Sequence, residues 1–207
     1  MGLFKRFLGQ TRKPEGFFGK LMLNAMNQGH AALSDWGLSH IEGLSPLVIA
    51  ELGCGGGRNV RELLRRYPMA KVYAVDYSAL AVCRTRAYNK PDIVKGRCRV
   101  LKASVQSLPL AASRFDLATA FETVYFWPDP AECFAEVYRI LKCGGSFLIC
   151  NESDGTDAEG LRYERIIDGM HCYTAEELET MLRTAGFSEV QLFRHETKPW
   201  LTVLAKK

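Results

Sequence analysis

An α/β fold built on a doubly wound, mostly parallel sheet is predicted by three observations. Short apolar runs alternate with helical patterns over residues 47–151, and such alternation calls for parallel strands joined by right-handed crossovers. A turn almost without side chains, Gly53-Cys54-Gly55-Gly56-Gly57, joins the first apolar run to the first helical pattern. Two β-rich runs with no helix between them close the chain, so they pair as an antiparallel hairpin.

The elements follow in chain order. A helical segment is expected over about residues 16–41, as an N-terminal lid. Strands are expected at Leu47–Leu52, Lys71–Asp76, Arg97–Lys102, Phe115–Phe121 and Ser146–Asn151. Helices are expected at Arg58–Arg66, Ala79–Asn89, Asp129–Leu141 and Ala175–Ala185, with Asp129 and Pro130 supplying a helix start. The hairpin is Glu189–His195 and Trp200–Lys206, turning at Pro199. Residues 1–42 read as a basic tail and helical lid, and residues 43–207 as the main domain.

Composition narrows the class. The 207 residues suffice for one substantial core. Net charge is +4, and residues 1–20 carry five basic side chains against Glu15, so the rest of the chain is neutral. A body-wide nucleic-acid footprint is therefore not expected. Seven cysteines contain no C-x-x-C pair and no zinc spacing, which argues for a reducing cytoplasm without disulfides or a metal. No apolar run is long enough to span a bilayer, and the start lacks a signal-peptide core. Leu3, Phe4, Phe7 and Leu8, interleaved with Lys5 and Arg6, read as a solvated tail, so no stable membrane association is expected.

The glycine turn carries the chemistry. Positive φ and close backbone approach suit a ligand lying against bare amides at a helix N-terminus. Asp76, at the tip of the second strand, is placed to accept hydrogen bonds from ribose hydroxyls. The dinucleotide pattern G-x-G-x-x-G fails in both frames, because Arg58 or Val60 stands where the last glycine belongs. What is present is acid-x-G-x-G-x-G, led by Glu51. This resembles the class I S-adenosylmethionine-dependent methyltransferases, particularly their small type 11 members. The antiparallel ending also separates the chain from dinucleotide-binding Rossmann sheets.

The resemblance covers roughly residue 47 to the C-terminus and implies a Rossmann-like fold that binds S-adenosyl-L-methionine. It associates Glu51 with the cofactor's ammonium group, and a carboxylate there suits a cationic ligand better than a pyrophosphate. It assigns Gly53, Cys54, Gly55 and Gly57 to the methionine part, Cys54 through its backbone, and Asp76 and Tyr77 to the ribose side. Ser104 stands where the family usually has an acid against the adenine, with the main chain of Val105 beside it and Phe121 closing the site. Gln106 and Ser107 read equally well as plain loop. Asp116 resembles a structural acid, and glycines 144 and 145 a left-handed helix end before strand five, with Cys143 in place of the usual proline.

Ligands of open parallel sheets bind beyond the carboxyl ends of the strands. Glu122 and Tyr125 are therefore expected to line a substrate cavity, Phe126 to pack as core, and Trp127 to serve either role. His30 would share a helix face with Met26 and Asn27 and contribute a base or an acceptor ligand, with a packing role as the alternative. His171 and Tyr173 are weaker candidates. If a base is required, His30 or Glu122 supplies it. The expected function is methyl transfer by in-line displacement to a small-molecule acceptor, by a cytoplasmic monomer or homodimer. The alternatives are an RNA or protein acceptor, or a binding protein without catalysis.

Overall fold

The computed structural model describes residues 30–207. Its seven strands are β1 (Val48–Leu52), β2 (Lys71–Asp76), β3 (Cys98–Lys102), β4 (Phe115–Phe121), β5 (Leu141–Asn151), β6 (Glu189–Arg194) and β7 (Leu201–Lys206). They form one sheet in the order β3-β2-β1-β4-β5-β7-β6. Strands β1 to β5 run parallel, and β7 lies antiparallel between β5 and β6. The C-terminal hairpin is present as the sequence predicts.

The helices are α1 (Ala31–Ser39), α2 (Arg58–Arg66), α3 (Ala79–Tyr88), α4 (Lys90–Val94), α5 (Pro130–Ile140), α6 (Ala158–Ile166) and α7 (Ala175–Thr184). Both sheet faces are covered, which explains why β1 is buried along nearly its whole length, Glu51 included, rather than alternating. Along β5, Phe147 and Ile149 enter one core with Phe115, Phe134 and Leu178, whereas Leu148 and Cys150 enter the other with Leu33, Leu63 and Val72. The edge strands β3 and β6 alternate in exposure, as half-solvated strands do.

Most of the expected helix over residues 16–41, including Met26 and Asn27, lies outside the described residues; its last part is α1. Leu33, Leu38 and Ile41 pack into the core beneath β5. Gly37 permits this closeness, since a Cβ there would stand 2.6 Å from Cys150 Sγ. Arg58 holds the helix through its Nη2, which donates to both carboxylate oxygens of Asp35, at 2.8 and 2.9 Å.

Three local expectations are corrected. Strand β5 begins at Leu141, directly after α5, so glycines 144 and 145 do not end that helix. Leu141 caps it in an extended conformation, and Gly144, at φ +75°, lies inside β5 and donates its N–H to the carbonyl of Lys207. Helix α6 arises where no element was expected; Asp157 caps it, but only Gly160 of its residues is buried, so no apolar stripe announced it. Helix α4 begins after Asn89, where one longer helix had been expected to end.

Candidate active site

Glycine and side-chain chemistry together shape the turn after β1. Gly53, Gly55 and Gly57 all have positive φ. The N–H groups of Gly53 and Cys54 donate to the carbonyl of Val75, at 2.8 and 3.0 Å, pinning the turn to β2. From α3, Thr85 Oγ1 donates to the Gly55 carbonyl at 2.9 Å and Asn89 Nδ2 to that of Gly57 at 3.0 Å. A Cβ at Gly57 would stand 2.9 Å from the Thr85 backbone, so this glycine exists for helix packing. Thr85 and Asn89 were missed in the sequence; their signal is two polar side chains, four apart, on a buried helix face.

A cavity of about 340 Å³ opens over this turn, beyond the carboxyl ends of the parallel strands. Gly53, Cys54, Gly55, Gly56, Asp76, Tyr77, Ser104, Val105 and Phe121 line one end of it. His30, Ser34, Glu122, Thr123, Phe126, Trp127 and Pro128 line the rest. Of the expected binding residues, Glu51 and Gly57 do not reach the wall. The structure also reverses two aromatic assignments, because Phe126 lines the cavity and Tyr125 lies behind it, 3% exposed. A single turn of 3₁₀ helix at Val124–Phe126 rotates the two rings away from the positions a plain loop would give them. Trp127 serves both roles, facing the cavity while stacking on Phe147.

Asp76 is nearly buried, which raises its pKa. Its Oδ2 accepts the Gly55 N–H at 2.9 Å and its Oδ1 the Ser78 N–H at 2.8 Å. The Tyr77 N–H bonds this carboxylate as well, leaving it acceptor capacity for one further donor. Glu51 is sealed beneath the turn, where Thr119 donates to its carboxyl. Burial pushes its pKa up to about 8 despite that bond. Burial also raises the Cys54 thiol, leaving its backbone as the useful part. Ser104 Oγ accepts the N–H of Gln106, and the Gln106 side chain turns away to Glu132.

The far end is held differently. Glu122 follows β4 at φ +58°, a left-handed conformation that a side-chain-bearing residue adopts only when its surroundings impose it. Its Oε1 accepts the Tyr125 hydroxyl at 3.1 Å and the backbone N–H of Glu152. The Tyr125 oxygen in turn accepts the Ser153 N–H at 2.9 Å. Burial first, and then the charge of Glu152, pushes Glu122 up to about 8. His30 Nε2 stands 3.5 Å from Glu152 Oε2, and burial lowers its pKa while Glu152 opposes that. His171 instead faces Glu164 and Tyr173, away from the cavity. Asp116 accepts the N–H groups of Leu47 and Val48 and pairs with Lys142 at 2.6 Å, far from the site.

Residues 50–149 match a methyltransferase domain family, the segment that carries the glycine turn, Asp76 and Glu122. The chain carries a methyltransferase domain. It is similar to cycloartenol-C-24-methyltransferase 1 of Oryza sativa subsp. japonica, 31% identical over 108 residues, covering 52% of this chain and 31% of that protein. Similarity to cycloartenol-C-24-methyltransferase of Arabidopsis thaliana is 28% over 171 residues, covering 76% of this chain and 50% of that one. The chain thus spans half or less of the length of these relatives. A SAM-dependent methyltransferase from Aquifex aeolicus shares the fold, with TM-score 0.74 and 18% identity, covering 89% of this chain and 96% of that one.

The cavity wall fits S-adenosylmethionine, the cofactor of this domain family, on its own geometry. Bare backbone at Gly55 and Gly56 leaves room that a Cβ would take. The remaining acceptor site of Asp76 suits a ribose hydroxyl, and Val75 and Val105 offer apolar surface for a base.

Proposed function

We propose that this chain transfers the methyl group of S-adenosylmethionine to a small-molecule acceptor by in-line displacement. One observation carries the reading: the cavity over the glycine turn is about 340 Å³ and is also walled by side chains of α1 and of the β4–α5 connection, Phe126 and Trp127 among them. A cavity of this size suits a small acceptor better than a polymer, and its aromatic wall suits an apolar one. The relatives named for cycloartenol, an apolar small molecule, support that choice.

When bound, S-adenosylmethionine supplies an activated methyl group on a sulfonium. The chain's own residues do the rest. Asp76 and the glycine turn hold the adenosyl part, with Ser104 and Val105 at the base. Phe121, Phe126 and Trp127 exclude water from the acceptor end. His30 and Glu122 hold and orient the acceptor, while Tyr125 acts on it only through Glu122, by fixing that carboxylate. Orientation is the main catalytic device, and in the best cases supplies on the order of 7–11 kcal/mol.

The test is release of S-adenosylhomocysteine across a panel of small metabolites, with a co-crystal of S-adenosylhomocysteine to locate the sulfur. Turnover of a small acceptor, with the sulfur facing Glu122 and His30, is expected. Turnover only with RNA or protein overturns the acceptor class, and cofactor binding with no turnover of any acceptor overturns the enzyme reading.

A further inference from the structure

Three donor side chains from distant parts of the chain meet at the acceptor end. His30 precedes α1, Glu122 follows β4 and Glu152 follows β5. One ligand atom from each lies within 4.8 Å of the other two. Two carboxylates at this spacing repel each other, and a cation between them removes that cost. The chain itself holds part of this geometry. Both hydrogen bonds to Glu122 fall on Oε1, so Oε2 keeps its donor capacity. The Glu152 amide that bonds Glu122 also sets the start of its own side chain.

We propose that His30, Glu122 and Glu152 bind a first-row divalent cation of the manganese, iron(II) or zinc type. One imidazole and two carboxylates form a mixed donor set. Calcium and magnesium favour all-oxygen shells, whereas imidazole draws borderline ions. Three protein ligands leave coordination positions open toward the cavity, as catalytic rather than structural metal sites do. An oxygen atom of the acceptor fits such a position, which points to acceptors carrying a hydroxyl or carboxylate near the methylated atom. That consequence rests on the proposed methyl transfer; the metal site itself does not.

The experiment is a calorimetric titration of chelator-treated full-length protein with Mn²⁺, and in parallel with Mg²⁺, without cofactor or acceptor. Mn²⁺ avoids confusion with zinc capture by the exposed Cys83 and Cys143. One Mn²⁺ per chain is expected, bound at least tenfold more tightly than Mg²⁺ and raising the thermal midpoint. Glu152→Gln and His30→Ala should each weaken it at least tenfold, whereas Glu159→Gln, on exposed α6, should leave it unchanged. No stoichiometric Mn²⁺ binding, or equal binding by wild type and both variants, overturns the site. S-adenosylhomocysteine affinity measured on the same samples keeps the two readings apart: intact affinity without Mn²⁺ binding removes the metal site alone, and Mn²⁺ binding without that affinity removes the methyltransferase reading alone.

Discussion

The two ends of the cavity are built by opposite means. At the cofactor end the wall is mostly backbone, drawn from short segments at the tips of β1, β2 and β3, and the side chains of Thr85 and Asn89 serve to occupy its carbonyls. At the acceptor end the wall is side chains, brought together from residues 30 and 34, 122 and 123, and 126–128, with Glu152 beside His30 and Glu122. Backbone recognition fixes one ligand for a whole family, because any sequence that makes the turn makes the site. Side-chain recognition is free to vary. Under the proposed function, the acceptor end is therefore where this chain's specificity would reside.

This contrast breaks down if substitutions at the two ends have the same kinetic signature. The largest effect is expected from Gly55→Val, since Gly55 has φ +49° and donates to Asp76. A β-branched residue cannot hold that conformation. Cofactor binding should vanish in calorimetry while circular dichroism stays native; retained affinity would take the turn out of the cofactor site. His30→Ala should act in the opposite sense, lowering turnover by about 10- to 100-fold, the lower range for a group acting on the acceptor. Its cofactor affinity should stay near wild type, and unchanged turnover would return His30 to a packing role.

Asp76→Ala should weaken the cofactor by about 1–3 kcal/mol through lost charge-assisted bonds, with turnover at saturating cofactor nearly intact. Tyr125→Phe sharpens the acceptor side. It removes the hydroxyl between Glu122 and the Ser153 amide, at a cost of about 1–2 kcal/mol in denaturant unfolding. It should also raise the KM for the acceptor without changing cofactor affinity.

The smallest effect is a pH dependence at Glu51, whose folded pKa of about 8 lies above its ordinary value. The folded state holds this proton more tightly, so the stability it contributes is full below about pH 4.5 and is lost as pH rises toward 8. The thermal midpoint of wild type should therefore fall relative to Glu51→Gln between about pH 4.5 and 8, and run parallel above that. Cofactor affinity, read by calorimetry, should rise a few-fold as pH passes through about 8 and folded Glu51 becomes charged, and stay flat in the variant. Parallel pH profiles for the two proteins would assign Glu51 no part in cation binding.

Asp116 marks a different boundary, between scaffold and site. It ties the start of β1 to Lys142 at the start of β5, at the sheet end opposite the cavity, and its chemistry ends there. Both roles, Asp116 as scaffold and Asp76 as site, are legible from position along a strand, because parallel strands present their ligand ends at one edge.

The sequence by itself determined the strand-and-helix order, the glycine turn, the placement of Asp76 and the antiparallel ending. Each of these is written in neighbouring residues, where periodicity and turn chemistry act locally. It gave no sign of α6, whose residues lack an apolar stripe, or of the bridge from α3 to the turn carbonyls. Only the tertiary structure exchanged Tyr125 and Phe126, because one 3₁₀ turn decides which ring faces the cavity. Only the tertiary structure joined Glu152 to Glu122 and His30, because residues 30, 122 and 152 meet only after β5 has paired with β4 and α1 has docked beneath it. Local chemistry fixes where the chain turns; long-range packing fixes which side chains share a cavity.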